Sequence, residues 1–184
     1  MEAPAVTHRR RPFLAPLWLT LLGLAVMAGI AWGVYRAAGT TVVLLVPTPA
    51  REPGTIADPP LSAEGEERAQ RLARLLGDAA AAGALDAIYV SDEQRAKQTA
   101  APLAERLQRA AVVFVAADAA TTAARALHEH AGRTVLVICA AGALPQMLQE
   151  LTGTDVTRTP AESDLIYVVS VPSFGRAHVL RLKF

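Results

Sequence analysis

The stretch that decides the fold is LDAIYVSDEQRAKQTA, residues Leu85–Ala100. Within it, Ala87–Val90 is a short apolar run, which predicts a buried β-strand. Ser91 can cap the helix that we predict from about Asp92 to Leu107. A strand followed immediately by a helix is the unit from which sheets of parallel strands are built.

The same alternation of strands and helices continues through residues 40–184. Further strands are predicted at Val42–Val46, Val112–Val115, Thr134–Cys139, Leu165–Val171 and Ala177–Leu182. Further helices are predicted after the candidate cap Ser62, over Thr121–His130 and up to Leu151. The first of them has an apolar stripe at helical spacing, formed by Ala69, Leu72, Ala73, Leu76 and Ala79. We therefore expect an α/β fold: a three-layer, mainly parallel sheet with helices on both faces and an antiparallel hairpin at the end.

A long apolar segment precedes this domain. Phe13 to Tyr35 contains no charged residue and is long enough to cross a hydrocarbon core of roughly 30 Å as one helix. The alternative is a cleaved signal peptide, but its apolar core has only about 7 to 15 residues. Arginines stand before the segment, at positions 9–11, and only Arg36 follows it closely, so the positive-inside rule favours a cytoplasmic N-terminus.

These features predict the organisation of the chain. We expect a cytoplasmic tail at 1–12, a transmembrane helix at 13–35 and an extracytoplasmic domain, periplasmic or external, at 40–184. The protein would then be a single-pass protein of the cell membrane. Within the apolar segment Ala25, Gly29 and Gly33 recur every four residues, a spacing that can pair two helices in a homodimer.

Charge and cysteine content exclude two classes of protein. Four of the 18 basic and one of the 17 acidic residues precede Thr40, so the domain has 14 basic and 16 acidic residues. This balance is unlike that of nucleic-acid-binding domains, which carry a basic surface. Cys139 is the only cysteine, which excludes an intramolecular disulfide.

The sequence has no metal or cofactor motif, so we expect neither a metal ion nor a cofactor. Its content of alanine and arginine is typical of bacterial proteins.

Four segments of the domain are similar to those of one known family. They are the strand and loop at Thr40–Glu52, the run DPPLSAEG at Asp58–Gly65, the quoted strand with RAKQTA at Arg95–Ala100, and the strand Thr134–Ile138. In this order they resemble the histidine phosphatase superfamily, also called phosphoglycerate mutase-like. The resemblance covers essentially all of residues 40–184 and implies the sheet described above, with the site at the carboxyl ends of the strands.

The resemblance also implies which residues should do the chemistry. Active members carry an Arg-His pair at the end of the first strand, where this sequence has Pro47 and Thr48. A second histidine, usually after a glycine, follows the fourth strand, where this sequence has Cys139 and Ala140. Of the central site only one arginine remains, as Arg95. Phosphoryl transfer needs a nucleophile and a cluster of cationic donors, so we expect no catalytic residue at these positions.

The remaining candidates are ligand-binding residues. We expect Arg95, Arg51, Thr48 and Ser91 to line an anion pocket that faces solvent. Arg51 either joins Arg95 in a two-arginine anion site or is a solvated loop arginine. Cys139 precedes a helix as in thiolate phosphatases, but Pro145 stands where their arginine must be, which favours a buried, inert thiol. Asp118 is either a remnant of the family's acidic proton donor or an ordinary helix-start residue. The four histidines, at positions 8, 128, 130 and 178, lie outside the three loops expected at the carboxyl ends of the strands, which are 47–60, 91–99 and 139–145.

Taken together, these features predict a membrane-anchored pseudo-phosphatase that binds an anionic or phosphorylated ligand, or a protein partner, without phosphoryl transfer. The alternative is a weakly active phosphatase or mutase that uses Thr48 or Cys139 as its nucleophile.

Overall fold

The computed structural model describes residues 17–37, 39–48, 58–81, 85–154, 164–173 and 175–183. The chain divides into two compact units, Met1–Tyr35 and Arg36–Phe184. Helix α1 spans Leu17–Ala37. Its apolar side chains are exposed, among them those of Trp18, Leu24 and Met27. Among the described residues, no helix meets both the length and the hydropathy of a membrane span.

The second unit is built on one sheet of six strands. Its strands are β1 Thr40–Thr48, β2 Leu85–Ser91, β3 Val112–Phe114, β4 Thr134–Ala140, β5 Leu165–Pro172 and β6 His178–Lys183, in the spatial order β3-β2-β4-β1-β5-β6. The first four strands of that order are parallel, and β5 and β6 are antiparallel to their neighbours. The expected mainly parallel sheet with an antiparallel hairpin is therefore confirmed. Gly175, in the turn before β6, has φ +114°, a conformation that favours glycine.

Helices cover both faces of this sheet and bury its core. They are α2 Ala63–Ala81, α3 Gln94–Leu107, α4 Ala119–Glu129 and α5 Leu144–Thr152. On one face Leu72 of α2 and Leu103 of α3 pack with Ile88 and Leu136 of the sheet. On the other face α4 and α5 pack against strand residues such as Val43 and Val137. The parallel strands are apolar on both faces because both faces are buried.

Two predicted helix caps have different outcomes. The Ser62 hydroxyl accepts a hydrogen bond from the Gly65 amide at 3.2 Å, which confirms Ser62 as the cap of α2. The prediction that Ser91 caps α3 is wrong, because Ser91 is the last residue of β2 and the N-cap position is Glu93. Instead, the Asp58 carboxylate accepts the Gln94 amide, with N···O distances of 3.0 and 3.1 Å. A side chain from a distant loop therefore caps this helix.

A polar cluster stabilises the sheet edge at which the parallel strands begin. The carboxylate of Asp86, near the start of β2, lies 2.5 Å from His130 Nδ1 and 2.5 Å from Arg133 Nη1. Tyr89 completes the cluster, since its hydroxyl donates to Glu129 at 3.1 Å and lies 3.2 Å from His130 Nε2. Burial alone would raise the pKa of Asp86, but the hydrogen bonds from His130 and Arg133 outweigh it and lower the pKa. The cluster ties the end of α4 to the start of β2.

We predict that Asp86→Asn lowers the free energy of unfolding at neutral pH, because the side chain can no longer form charge-assisted hydrogen bonds with His130 and Arg133. The loss should be only about 1 kcal/mol, because these ion pairs are partly exposed. Because the folded protein has the lower Asp86 pKa, this stabilisation is complete above the unfolded-state pKa and is lost as pH falls through the folded-state pKa. Chemical denaturation of the full chain at neutral and acid pH measures both effects.

The matched control is Asp78→Asn, whose carboxylate pairs with Arg106 at 2.6 Å but is 75% exposed. An exposed pair of this kind contributes little. Two results would contradict a stabilising role for the Asp86 carboxylate. One is an equal loss of unfolding free energy in the two variants. The other is a stability difference between Asp86→Asn and the unmodified chain that does not shrink in acid.

Candidate functional site

The carboxyl ends of β1, β2 and β4 meet at one edge of the sheet and form the candidate site. Parallel pairing of β1 with β4 sets Pro47 beside Cys139 and Thr48 beside Ala140. On the other side of β4, Val90 is paired with Ile138, so Ser91 ends β2 at the same edge. The expected meeting of these strand ends is therefore observed, and we call this region the strand-end site.

The two candidate nucleophiles of the strand-end site are buried. The expected burial of the Cys139 thiol is confirmed. Thr48 is 1% exposed and Ser91 is fully buried, so the expectation that these two residues line a pocket open to solvent is wrong. The Thr48 hydroxyl donates a hydrogen bond to the Cys139 carbonyl oxygen at 3.3 Å. Burial, with a smaller effect of the Glu93 carboxylate, raises the pKa of the Cys139 thiol to about 12. The thiol is therefore protonated at neutral pH, and the thiolate is the reactive form.

A second arginine, missed by the sequence analysis, reaches the strand-end site from α2. Arg68 is 8% exposed, and its Nη2 donates to the Pro47 carbonyl oxygen at 3.0 Å. Burial, opposed by the Asp164 carboxylate, lowers the pKa of this guanidinium. The sequence did contain a signal for this position, because Arg68 precedes Leu72 by four residues and so lies on the apolar stripe of α2.

Arg95 lies in the first turn of α3, four residues after the last residue of β2, and a carboxylate accompanies it. The Arg95 side chain is 9% exposed, and its Nη2 lies 3.6 Å from Oε2 of Glu93. That oxygen is buried and forms no hydrogen bond within the described part of the chain. Ser91 is also fully buried, and its hydroxyl forms no hydrogen bond within the same residues. The site therefore combines guanidinium groups with one acidic group.

Contacts from the Asp58–Gly65 segment hold α3 at this edge. Besides the cap that Asp58 provides, the Leu61 amide donates to Gln98 Oε1 at 2.7 Å. Within α3, the Thr99 hydroxyl donates to the Arg95 carbonyl oxygen at 2.8 Å. These bonds fix the first turns of α3, and with them the positions of Glu93 and Arg95.

The other predicted candidates do not join this group. Arg51 lies outside the described residues. Asp118 is exposed at the start of α4, where its side chain makes no capping hydrogen bond. The described histidines lie at the opposite edge of the sheet: His130 contacts Asp86 at the start of β2, and His178 begins β6. Within the same described ranges, no three His, Cys, Asp or Glu side chains form a group able to hold a metal ion.

We predict that Cys139 does not react with a water-soluble maleimide in the folded protein. A buried thiol with a pKa of about 12 is out of reach of the reagent, and at neutral pH it stays protonated and therefore unreactive. Intact-mass measurement of the full chain should find no adduct until denaturant is added, and then one adduct. Labelling at the same rate before and after unfolding would show that the thiol is exposed.

We predict that Arg68→Gln lowers the free energy of unfolding by roughly 1–3 kcal/mol, because the Pro47 carbonyl oxygen loses a buried donor. The matched control is Arg71→Gln, an exposed arginine on the same helix, which should change stability by less than about 0.5 kcal/mol. Chemical denaturation measures both, and equal effects would contradict the contact between Arg68 and Pro47.

Comparison with known proteins agrees with this geometry. Residues 50–119 match the family model of the histidine phosphatase superfamily (branch 1). A search of curated proteins found no match. Among solved structures, the protein histidine phosphatase SixA, complexed with tungstate, is 19% identical with a TM-score of 0.60, and the alignment covers 78% of this chain and 96% of that one.

Two further structures have the same fold. Phosphoglycerate mutase from Plasmodium falciparum is 18% identical with a TM-score of 0.56, and the alignment covers 78% of this chain and 91% of that one. A mycobacterial glucosyl-3-phosphoglycerate phosphatase is 17% identical with a TM-score of 0.57, and the alignment covers 77% of this chain and 96% of that one. The family model and the solved structures together support one assignment: the chain has the phosphoglycerate mutase-like fold of the histidine phosphatase superfamily.

Proposed function

We propose that the chain is a membrane-anchored pseudo-phosphatase, which binds an anionic ligand or a protein partner without transferring a phosphoryl group. The observation that carries the proposal is the state of the two side chains that could attack phosphorus. The Thr48 hydroxyl is buried and bonded to the Cys139 carbonyl oxygen, and the Cys139 thiol is buried with a raised pKa. A hydroxyl without an adjacent base is a weak nucleophile, and no described histidine lies at this edge of the sheet.

The charges at the strand-end site support the same proposal. Phosphoryl transfer requires cationic donors directed at the oxygens of the transferring group. Here the Arg68 guanidinium is bound to the Pro47 carbonyl, and Arg95 lies beside Glu93. The site keeps enough positive charge to hold an anion, but its donors already have other acceptors. Binding without chemistry is the function that this arrangement favours.

The competing proposal is a weakly active phosphatase or mutase. Only Thr48 or Cys139 could then carry the phosphoryl group, and each would have to leave its buried position and lose a proton first. No described group is placed to take that proton. We therefore rank this alternative second.

The membrane anchor rests on the apolar segment Phe13–Tyr35, whose first four residues lie outside the described residues. Exposed apolar side chains on all sides of α1 support it, because a helix that is apolar all round needs an apolar environment. They include Trp18, Leu21, Leu24, Met27 and Ile30. The small residues Ala25, Gly29 and Gly33 would allow two such helices to pair in a homodimer.

We expect the full chain, purified in a non-ionic detergent, to hydrolyse para-nitrophenyl phosphate no faster than its Arg95→Gln variant. The reason is the absence of an activated nucleophile at the strand-end site. The measurement is product absorbance over time. Turnover that disappears in Thr48→Val or Cys139→Ser, with the fold retained, would establish the enzyme alternative instead.

We expect residues 40–184 to lie outside the cytoplasm, because three arginines precede the apolar segment and one follows it closely. Alkaline phosphatase fused after Phe184 should be active in bacterial cells. Green fluorescent protein fused at the same point should be dark, because it would be exported from the cytoplasm. A matched variant, with positions 9–11 changed to serine, should weaken this bias. Fluorescence without phosphatase activity would place the domain in the cytoplasm.

A further inference from the structure

Strand β6 forms an open edge of the sheet. It is the last strand in the spatial order, and within the described residues it pairs only with β5. The pairing runs from His178 opposite Ser170 to Lys183 opposite Leu165. Because backbone groups of a strand point alternately to its two sides, half of the N–H and C=O groups of β6 point away from β5. An edge of this kind is a template for a further strand.

Neither face of β6 is covered by the helices. All of its side chains are exposed, and none belongs to the two core clusters of the described residues. Leu180 and Leu182 are 58% and 46% exposed. Leu182 lies opposite Ile166 of β5, which is part of the core under α2 and α3. The apolar surface of the sheet therefore continues onto β6, beyond the reach of these helices.

The protection that edge strands usually carry is reduced here to positive charge. Natural edge strands avoid pairing because they are short, contain proline or a bulge, or carry charged side chains. The opposite edge strand, β3, has only three residues. Strand β6 has six residues, no proline and an unbroken register with β5. Its charged side chains are Arg181 and Lys183, so it resists a basic strand and not an acidic one.

These charges decide which strand can join the edge. Side chains alternate between the two faces of a strand, so Arg181 and Lys183 share one face, and Leu180 and Leu182 share the other. Neither cation has a salt bridge or hydrogen bond with any residue that the structure describes. Opposite charges across two strands stabilise the pairing and like charges destabilise it. A second copy of β6 would add further basic side chains without an acidic one, whereas a strand of alternating acidic and apolar residues complements both faces.

We propose that β6 docks an extended acidic segment of a partner protein, in which acidic and apolar residues alternate, as an additional strand of the sheet. The outward backbone groups of β6 bind the main chain of the segment. Arg181 and Lys183 bind its carboxylates, while Leu180 and Leu182 contact its apolar side chains. This inference rests on the proposed function, because it names the class of protein partner, but it concerns a surface separate from the strand-end site.

Labelled peptides test the proposal. A fluorescein-labelled peptide of four Glu-Val repeats is titrated with the full chain in a non-ionic detergent, and binding is measured by fluorescence anisotropy. Its dissociation constant should be on the order of tenfold lower than that of a peptide of four Lys-Val repeats. A Glu-Val peptide with every backbone amide N-methylated keeps its carboxylates but has no N–H donor for the sheet. It should bind as weakly as the Lys-Val peptide.

Reversing the charge of β6 should reverse the preference. The double variant Arg181→Glu, Lys183→Glu should bind the Lys-Val peptide more tightly than the Glu-Val peptide, an effect that a merely structural role would not produce. The matched control Arg71→Glu, Arg74→Glu makes the same change of net charge at exposed positions of α2 and should keep the unmodified preference. If the β6 variant does not fold, as judged by circular dichroism, Arg181→Gln, Lys183→Gln replaces it and should abolish the preference.

Several results would overturn the proposal. One is equal affinity for the Glu-Val peptide and either comparison peptide, or no binding of any peptide. Another is the same effect from the two charge-reversed variants. A disulfide between two Leu180→Cys chains, without one between Val113→Cys chains at the opposite edge, would show that a second copy fills the edge instead. Hydrolysis of para-nitrophenyl phosphate is a separate result, because it contradicts the proposed function whichever peptide binds.

Discussion

The parallel pairing of β1 with β4 is the constraint on which the strand-end site depends. It brings Pro47 and Thr48 next to Cys139 and Ala140 although 91 positions separate Thr48 from Cys139. Because both strands are buried between layers of helices, a side chain at this edge keeps its neighbours and has little freedom to turn. The chemistry of the site is therefore set by which four residues the pairing brings together, and none of them is ionised at neutral pH.

Charge at this edge comes from helices and not from strands. Arg68 enters from α2 and Arg95 from α3, and Glu93 stands just before α3. The Arg68 guanidinium is directed at a backbone carbonyl, which is an acceptor that no ligand displaces without cost. The Arg95 guanidinium shares its surroundings with a carboxylate. Among the described residues, this edge therefore combines two guanidinium groups with one carboxylate, whereas phosphoryl transfer uses a cluster of cationic donors directed at the transferring group.

The sequence allowed the fold to be predicted well, because long apolar runs and helical stripes are local signals. The strand Thr134–Cys139 was predicted within one residue of its observed end, and β1 proved longer at both ends than Val42–Val46. The cap of α3 was mistaken, since its real acceptor, Asp58, lies 36 residues away from Gln94. A contact over that separation leaves no trace in the local pattern.

The elements that carry the candidate residues could be predicted, but the directions of the charged side chains could not. Arg95 and Thr48 were identified from the resemblance to the histidine phosphatase superfamily, and Ser91 from its position where a predicted strand meets a predicted helix. Arg68 and Glu93 were missed, because an arginine or a glutamate on a helix is normally solvated, and only the packing of α2 and α3 on the sheet turns them inward. The direction of a charged side chain is a tertiary property, which spacing alone does not reveal.

The most direct test of the central claim is a search for a phosphorylated form of the protein. The full chain is incubated with acetyl phosphate, a reactive phosphoryl donor, quenched rapidly, and measured by intact mass spectrometry beside a Thr48→Val, Cys139→Ser double variant. Because neither side chain at the strand-end site is an activated nucleophile, the account predicts the unmodified mass for both proteins. A phosphoryl adduct on the unmodified chain that is absent from the double variant would contradict it.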